Sequence, residues 1–83
     1  KMIQCESCGM PMKKASEFGG LNLKNKYCTY CTDEKGKLKP FEQKREEMIN
    51  FNMEENKVTR KEAEKLIDKL MKRMPAWSNY YDH

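Results

Sequence analysis

Four cysteines, arranged as two pairs, are the residues of this chain best suited to chemistry. The pairs are Cys5-Glu6-Ser7-Cys8 and Cys28-Thr29-Tyr30-Cys31, and nineteen residues separate them. Two residues between cysteines form a tight turn, or knuckle, that directs both sulfurs to one point. Two knuckles together complete a tetrahedron for an ion such as Zn²⁺, with zinc–sulfur bonds of about 2.3 Å. Four thiolates leave no open coordination position, so the spacing predicts one structural metal ion and no catalytic residues.

Other uses of the four cysteines are compatible with their number. Two disulfides would consume all four, although nothing in the sequence indicates export and adjacent C-x2-C pairs form a poor disulfide framework. A redox dithiol needs only one pair, and the βαβ setting typical of that motif is not predicted here. A rubredoxin-like iron site for electron transfer would use the same ligands as zinc. A thiol-based metal or redox sensor, which releases its metal on oxidation, is the functional alternative.

The size and composition of the chain explain why it needs a metal. A chain of 83 residues buries only about 60% of the surface that it exposes when unfolded. Charged residues make up 36% and hydrophobic residues 37%, which leaves little for a core, and domains this small usually need a metal, disulfides or a partner. The sequence contains no run of about 18 apolar residues and no charged-then-apolar leader, so we expect no membrane span and a cytoplasmic location.

The positive charge of the chain lies in its first half. Residues 1–40 carry eight basic and four acidic side chains, whereas residues 41–83 carry nine of each. Fourteen of the seventeen basic residues are lysines, which contact phosphates without reading bases as arginine does. We therefore expect a protein partner rather than a specific nucleic-acid sequence, and we expect the chain itself to be a monomer or a weak dimer. Any nucleic acid would be bound through non-specific lysine–phosphate contacts from Lys13, Lys14, Lys24 and Lys26.

Short strands are predicted around the two knuckles. Glycines and asparagines interrupt short apolar pieces between the cysteine pairs, and Gly9 directly after the first pair favours a left-handed turn. The alternation in Leu21-Asn22-Leu23 and the segment Lys26-Tyr27-Cys28 both predict extended strands. We therefore expect residues 1–37 to form a four-cysteine ribbon of short β-hairpin strands.

Two helices are predicted in the second half of the chain. Pro40 fits the first turn of a helix at about 40–55. Thr59 and Glu62 form a T-x-x-E capping box, which predicts a second helix at about 60–74. The apolar residues of the second helix recur at a spacing of three and four, which predicts a continuous apolar face of Ala63, Leu66, Ile67, Leu70, Met71 and Met74.

The short connection between these helices predicts an antiparallel hairpin over residues 38–83, packed with the ribbon as one unit. Its tail, Trp77-Ser78-Asn79-Tyr80-Tyr81, is expected to fold back over the ribbon or the helices, with a stacking surface for a base or peptide as the alternative. His83 is the single histidine and is expected to belong to the tail. The fold class is therefore small α+β, a zinc ribbon followed by a two-helix antiparallel hairpin.

The order of several motifs resembles a zinc-ribbon family of small bacterial proteins. The motifs are Cys5-x-Ser7-Cys8-Gly9-Met10-Pro11, Lys26-Tyr27-Cys28-x-Tyr30-Cys31, Gly36-x-Leu38 and Glu46-Glu47-Met48-Ile49. The resemblance implies that Cys5, Cys8, Cys28 and Cys31 are the metal ligands. Related modules are joined to transcriptional regulators, so the resemblance further implies a role in transcription regulation. The closed four-thiolate site and the lack of a nucleophile–base arrangement in the sequence predict a non-catalytic interaction module. Leu21-Asn22-Leu23 replaces an acidic segment of the family, so we expect the loop between the knuckles to differ.

Overall fold

A short β-hairpin followed by two helices makes up the fold. The computed structural model describes residues 3–82, so His83 lies outside the described residues. The elements, in chain order, are β1 (Ile3–Gln4), β2 (Pro11–Met12), α1 (Phe41–Asn56) and α2 (Arg60–Met71). Three single turns of 3₁₀ helix complete them, at Ala15–Glu17, Gly19–Leu21 and Ser78–Tyr81. The predicted α+β arrangement is confirmed.

The two strands form the base of the first knuckle. They pair antiparallel, with Ile3 opposite Met12 and Gln4 opposite Pro11. Between them, the amide of Cys5 donates to the Met10 carbonyl at 2.8 Å and the Gly9 amide donates to the Cys5 carbonyl at 2.8 Å. Gly9 has a φ of 83°, a left-handed conformation that glycine adopts without steric cost.

The strand predicted at residues 21–23 is wrong. Residues 19–21 form a 3₁₀ turn, and Leu21 has a φ of 59°. Leu21 and Leu23 are 72% and 60% exposed, so their alternation with Asn22 does not mark a buried sheet face. Alternation produces a strand only when a neighbouring strand pairs with it. The segment predicted at 26–28 contributes a single antiparallel bridge, between Cys28 and Phe18.

Asn25 holds the loop between the knuckles together. Its Nδ2 donates to the carbonyls of Gly19 at 3.0 Å and Gly36 at 2.9 Å, and its Oδ1 accepts from the Tyr27 amide at 2.9 Å. Gly19 is required here, because a Cβ at that position would lie 2.4 Å from the Thr32 hydroxyl oxygen. The side chain of Asn25 thus connects its own loop to Gly36, eleven residues further along the chain.

Local signals explain both ends of α2. The capping box at the start of α2 is confirmed, since the Thr59 amide donates to Glu62 Oε1 at 2.9 Å and the Glu62 amide donates to Thr59 Oγ1 at 3.2 Å. However, α2 ends at Met71, three residues before the predicted end at 74. Pro75 disfavours a helical Met74, and the Met74 amide bonds to the Met71 carbonyl in a tighter turn.

Two groups of buried side chains form the core. The first surrounds the cysteines and the second lies between the helices and the tail. Their buried members are Cys5, Met12, Phe18, Cys28 and Cys31 in the first, and Ile49, Ala63, Ile67, Met71 and Trp77 in the second. Leu38 packs against both groups and so connects the ribbon with the helices. Trp77 is 1% exposed, which confirms that the tail folds back over the chain.

Neither helix within residues 3–82 combines the length and the apolar character that crossing a bilayer requires.

Candidate metal centre

The four cysteine sulfurs converge at one point. All four lie within 4.8 Å of one another. The sulfur of Cys31 is 3.8 Å from that of Cys5 and 3.6 Å from that of Cys28, and the sulfurs of Cys8 and Cys28 are 3.7 Å apart. A tetrahedron with metal–sulfur bonds of about 2.3 Å has sulfur–sulfur edges of about 3.8 Å. The four cysteines are therefore arranged to bind a metal ion.

The same distances describe four free thiols. A disulfide has a sulfur–sulfur bond of about 2.05 Å, far shorter than the 3.6 Å between the sulfurs of Cys28 and Cys31. Three of the four cysteines are buried, and Cys8 is half-buried. Thus the metal-binding interpretation fits this geometry better than the disulfide alternative.

Backbone amides from both knuckles point at one sulfur. The Sγ of Cys5 accepts hydrogen bonds from the amide of Ser7 at 3.4 Å and from the amide of Cys28 at 3.2 Å. Such donors stabilise the negative charge of a thiolate. Because Cys28 belongs to the second knuckle, the longer-range bond also fixes the position of one knuckle relative to the other.

The close approach of the thiols shifts their pKa values in opposite directions. Hydrogen bonding with the Cys28 and Cys31 side chains holds the pKa of Cys5 well below its usual range. Hydrogen bonding with the Cys31 side chain lowers the pKa of Cys28 to about 6. By contrast, hydrogen bonds with Cys28 and Cys5 raise the pKa of Cys31. Adjacent sulfurs cannot all be negative by themselves, and a divalent cation removes that conflict.

Two lysines support the second knuckle, and the sequence analysis assigned neither of them this role. The Nζ atoms of Lys39 and Lys44 donate to the Tyr30 carbonyl at 3.2 and 2.8 Å. Glu47 pairs with both ammonium groups, at 3.0 and 3.7 Å. The side chain of Lys44 is only 9% exposed. The sequence signal that could have identified Lys44 is its spacing of four residues from Met48, which places this lysine in an apolar row of α1.

A groove with a volume of about 840 Å³ lies beside the cysteine cluster. The second knuckle contributes Tyr30 to its lining, and the two helices contribute Phe51, Leu66 and Leu70. Cys8 also lines this groove. The apolar face predicted for α2 is thus divided, since Leu66 and Leu70 are 43% and 45% exposed in the groove while Ile67 is buried.

A short β-hairpin that carries the first knuckle, and a second knuckle whose cysteines converge on the first pair, define a metal-binding ribbon domain. A family model described as "Putative zinc ribbon domain" matches residues 4–78. Because the match spans most of the chain, the protein belongs to this zinc ribbon family, which confirms the resemblance seen in its motifs. No curated protein and no solved structure matches the chain.

Proposed function

We propose that the chain binds one structural Zn²⁺ ion through Cys5, Cys8, Cys28 and Cys31, and that it serves as a non-catalytic interaction module in the cytoplasm. The observation that carries the proposal is the convergence of the four sulfurs within 4.8 Å. Membership of a zinc ribbon family supports zinc over iron. A cytoplasmic location agrees with four free thiols, since reducing conditions keep cysteines unpaired.

Elemental analysis of the purified protein tests the metal assignment. We expect one zinc per chain and a colourless sample, because four thiolates satisfy the coordination of Zn²⁺. A red sample with stoichiometric iron would instead establish the electron-transfer alternative. Four single Cys→Ser variants serve as the comparison, and each is expected to lose most of its zinc.

The half-buried Cys8 is the observation that favours the sensor alternative, because oxidants reach exposed thiolates first. The zinc-loaded sample treated with mild peroxide separates the two functions. Retained zinc supports the structural role, and rapid release that begins with oxidation of Cys8 would establish the sensor.

The groove supports a protein partner. Phe51 and Tyr30 are 67% and 66% exposed, and with Leu66 and Leu70 they line one apolar surface. Contiguous apolar surface of this kind marks interaction sites in soluble proteins. We propose that a protein segment with apolar side chains binds here, and that a role in transcription regulation is carried by this contact.

Weak, non-specific nucleic-acid binding is the second contact that we propose. Lys13, Lys14, Lys24 and Lys26 are exposed, and none takes part in the ion pairs formed within residues 3–82. The hydrogen bond between Asn25 and Gly36 adds support. It places a second pair of exposed lysines, Lys35 and Lys37, which flank Gly36, close to Lys24 and Lys26, which flank Asn25.

A salt titration with fluorescein-labelled duplex DNA tests this contact. Four lysine–phosphate contacts give a slope of log K against log salt of about −3.6, so affinity is expected to fall about 100-fold between 50 and 200 mM salt. Replacing Lys13, Lys14, Lys24 and Lys26 with glutamine should abolish binding. The matched control replaces four exposed lysines in or directly after the two helices, Lys57, Lys61, Lys65 and Lys72, and should bind nearly as well. Binding that ignores salt, or an equal loss in both variants, would contradict the proposal.

A further inference from the structure

The indole of Trp77 joins the C-terminal segment to the first knuckle. Its Nε1–H donates to the hydroxyl of Ser7 at 2.9 Å and to the carbonyl of Ser7 at 3.2 Å. Ser7 is 0% exposed and Trp77 is 1% exposed, so both ends of this contact are shielded from water. Ser7 lies between Cys5 and Cys8, which makes it part of the turn that positions two sulfurs.

The adjacent backbone makes the same connection. The amide of Ala76 donates to the carbonyl of Glu6 at 3.1 Å. Glu6 and Ser7 are the two residues between the first pair of cysteines, and both therefore accept hydrogen bonds from residues 76–77. These contacts join positions that are 70 residues apart in sequence.

The other end of the segment belongs to the helices. Trp77 is a buried member of the core group that includes Ile49 and Met71. The ring of Phe41 stacks on that of Tyr80 with centroids 4.3 Å apart at 10°, and it lies 5.7 Å from the ring of Trp77. The segment thus contacts the first knuckle on one side and an aromatic group on the other.

A metal ion would hold Cys5 and Cys8 to one centre, where the Ser7 amide donates to the Cys5 sulfur. Without an ion, the turn keeps the backbone hydrogen bonds of the Cys5 and Gly9 amides and loses the metal–sulfur bonds. The Ser7 acceptors then leave the Trp77 N–H, and a buried donor without an acceptor destabilises the arrangement that buries it.

We propose that the Ser7–Trp77 contact couples metal occupancy of the ribbon to the order of residues 76–82. This inference rests on the metal site of the proposed function. Loss of the metal releases the segment and exposes Trp77, which metal binding keeps buried. The chain therefore presents a different apolar surface in its metal-loaded and metal-free forms.

Linkage requires the coupling to act in both directions. If metal binding orders residues 76–82, then breaking the Ser7–Trp77 contact must lower the metal affinity by the factor that this contact contributes. The variant Trp77→Phe keeps an aromatic ring and removes the donor. We expect its zinc affinity, measured by competition with a chromophoric chelator, to fall about fivefold to tenfold, as the loss of a buried hydrogen bond predicts.

The matched control is Thr59→Ala. The Thr59 hydroxyl accepts from the Glu62 amide at 3.2 Å, so this variant also removes a side-chain hydrogen bond, but it lies at the start of α2, outside residues 76–82. Its zinc affinity should equal that of the original chain. Equal affinities for Trp77→Phe and Thr59→Ala would overturn the inference.

Ser7→Ala provides a second test that leaves the indole in place. It removes one of the two acceptors, so a smaller fall of about threefold is expected, and no further fall when it is combined with Trp77→Phe. Additive falls in the double variant would show that the two residues act separately, against the proposal.

Hydrogen exchange of the full chain provides the direct observation. After chelation of zinc, the amides of residues 76–82 should exchange much faster while those within α2 remain protected. Continued protection of 76–82 would overturn the inference. If the original chain binds no zinc at all, the proposed function itself fails; if it binds one zinc and the variants match it, only the coupling fails.

Discussion

Replacing Cys28 with serine is expected to unfold the ribbon, residues 1–37, and to leave part of the helical hairpin folded. Cys28 is 0% exposed, its sulfur lies 3.6 Å from that of Cys31, and its amide donates to the sulfur of Cys5. Structural zinc contributes about 10–16 kcal/mol of apparent binding free energy in small modules, which equals or exceeds the whole stability of a typical domain. The few buried side chains of the ribbon cannot replace that amount.

Amide chemical-shift dispersion in NMR spectra, together with circular dichroism, measures this outcome. Signals from the ribbon should collapse toward random-coil positions, whereas helical ellipticity should fall only in part. Thr29→Ser is the matched control, since it changes an exposed neighbour in the same knuckle by one methyl group and should leave the spectrum intact. A Cys28→Ser protein with undisturbed dispersion in residues 3–37 would refute the structural role of the metal.

Ile49→Ala is expected to lower the free energy of unfolding by about 2–5 kcal/mol, the second large effect. Ile49 is 0% exposed and belongs to the core group between α1, α2 and the tail. Truncation leaves a cavity that the neighbouring side chains fill only partly. In a chain of this size each 1 kcal/mol lowers the melting temperature by about 4–8 °C, so the change is large in a thermal scan.

Phe51→Ala is the matched control for Ile49→Ala. Phe51 lies two residues further along α1 but is 67% exposed in the groove, so its truncation should change the free energy of unfolding by about 0.5 kcal/mol or less. Urea denaturation of both variants with zinc present measures the difference. Similar costs would mean that Phe51 is retained for folding, and the groove would lose its support as an interaction surface.

Local patterns were enough to predict several parts of the protein. The capping box of Thr59 and Glu62 begins α2 as predicted, because both partners lie within one turn of each other. The C-x2-C spacing predicted that four sulfurs meet, because each knuckle needs only a short turn and the two knuckles need only one contact. The capping box and the turn of each knuckle depend on residues that are close in sequence, so a sequence pattern is enough to predict them.

Two other predictions, a strand and the end of a helix, were wrong. For the strand, the reason is a contact with a residue far away in sequence. Leu21-Asn22-Leu23 alternates like a strand, but no strand within residues 3–82 pairs with it, and Asn25 closes the loop on Gly36 instead. The predicted end of α2 at 74 is wrong for a local reason, because Pro75 disfavours a helical Met74.

The amino-acid order by itself therefore determined the class of protein, the convergence of its cysteines and the presence of two helices. Only the tertiary structure decided that Lys44 is buried against the second knuckle, that Leu66 and Leu70 face a groove, and that Trp77 bonds to Ser7. The reason is physical. Turns and caps are set by contacts within a few residues, whereas burial and hydrogen bonding between residues far apart in the chain exist only after the chain has packed.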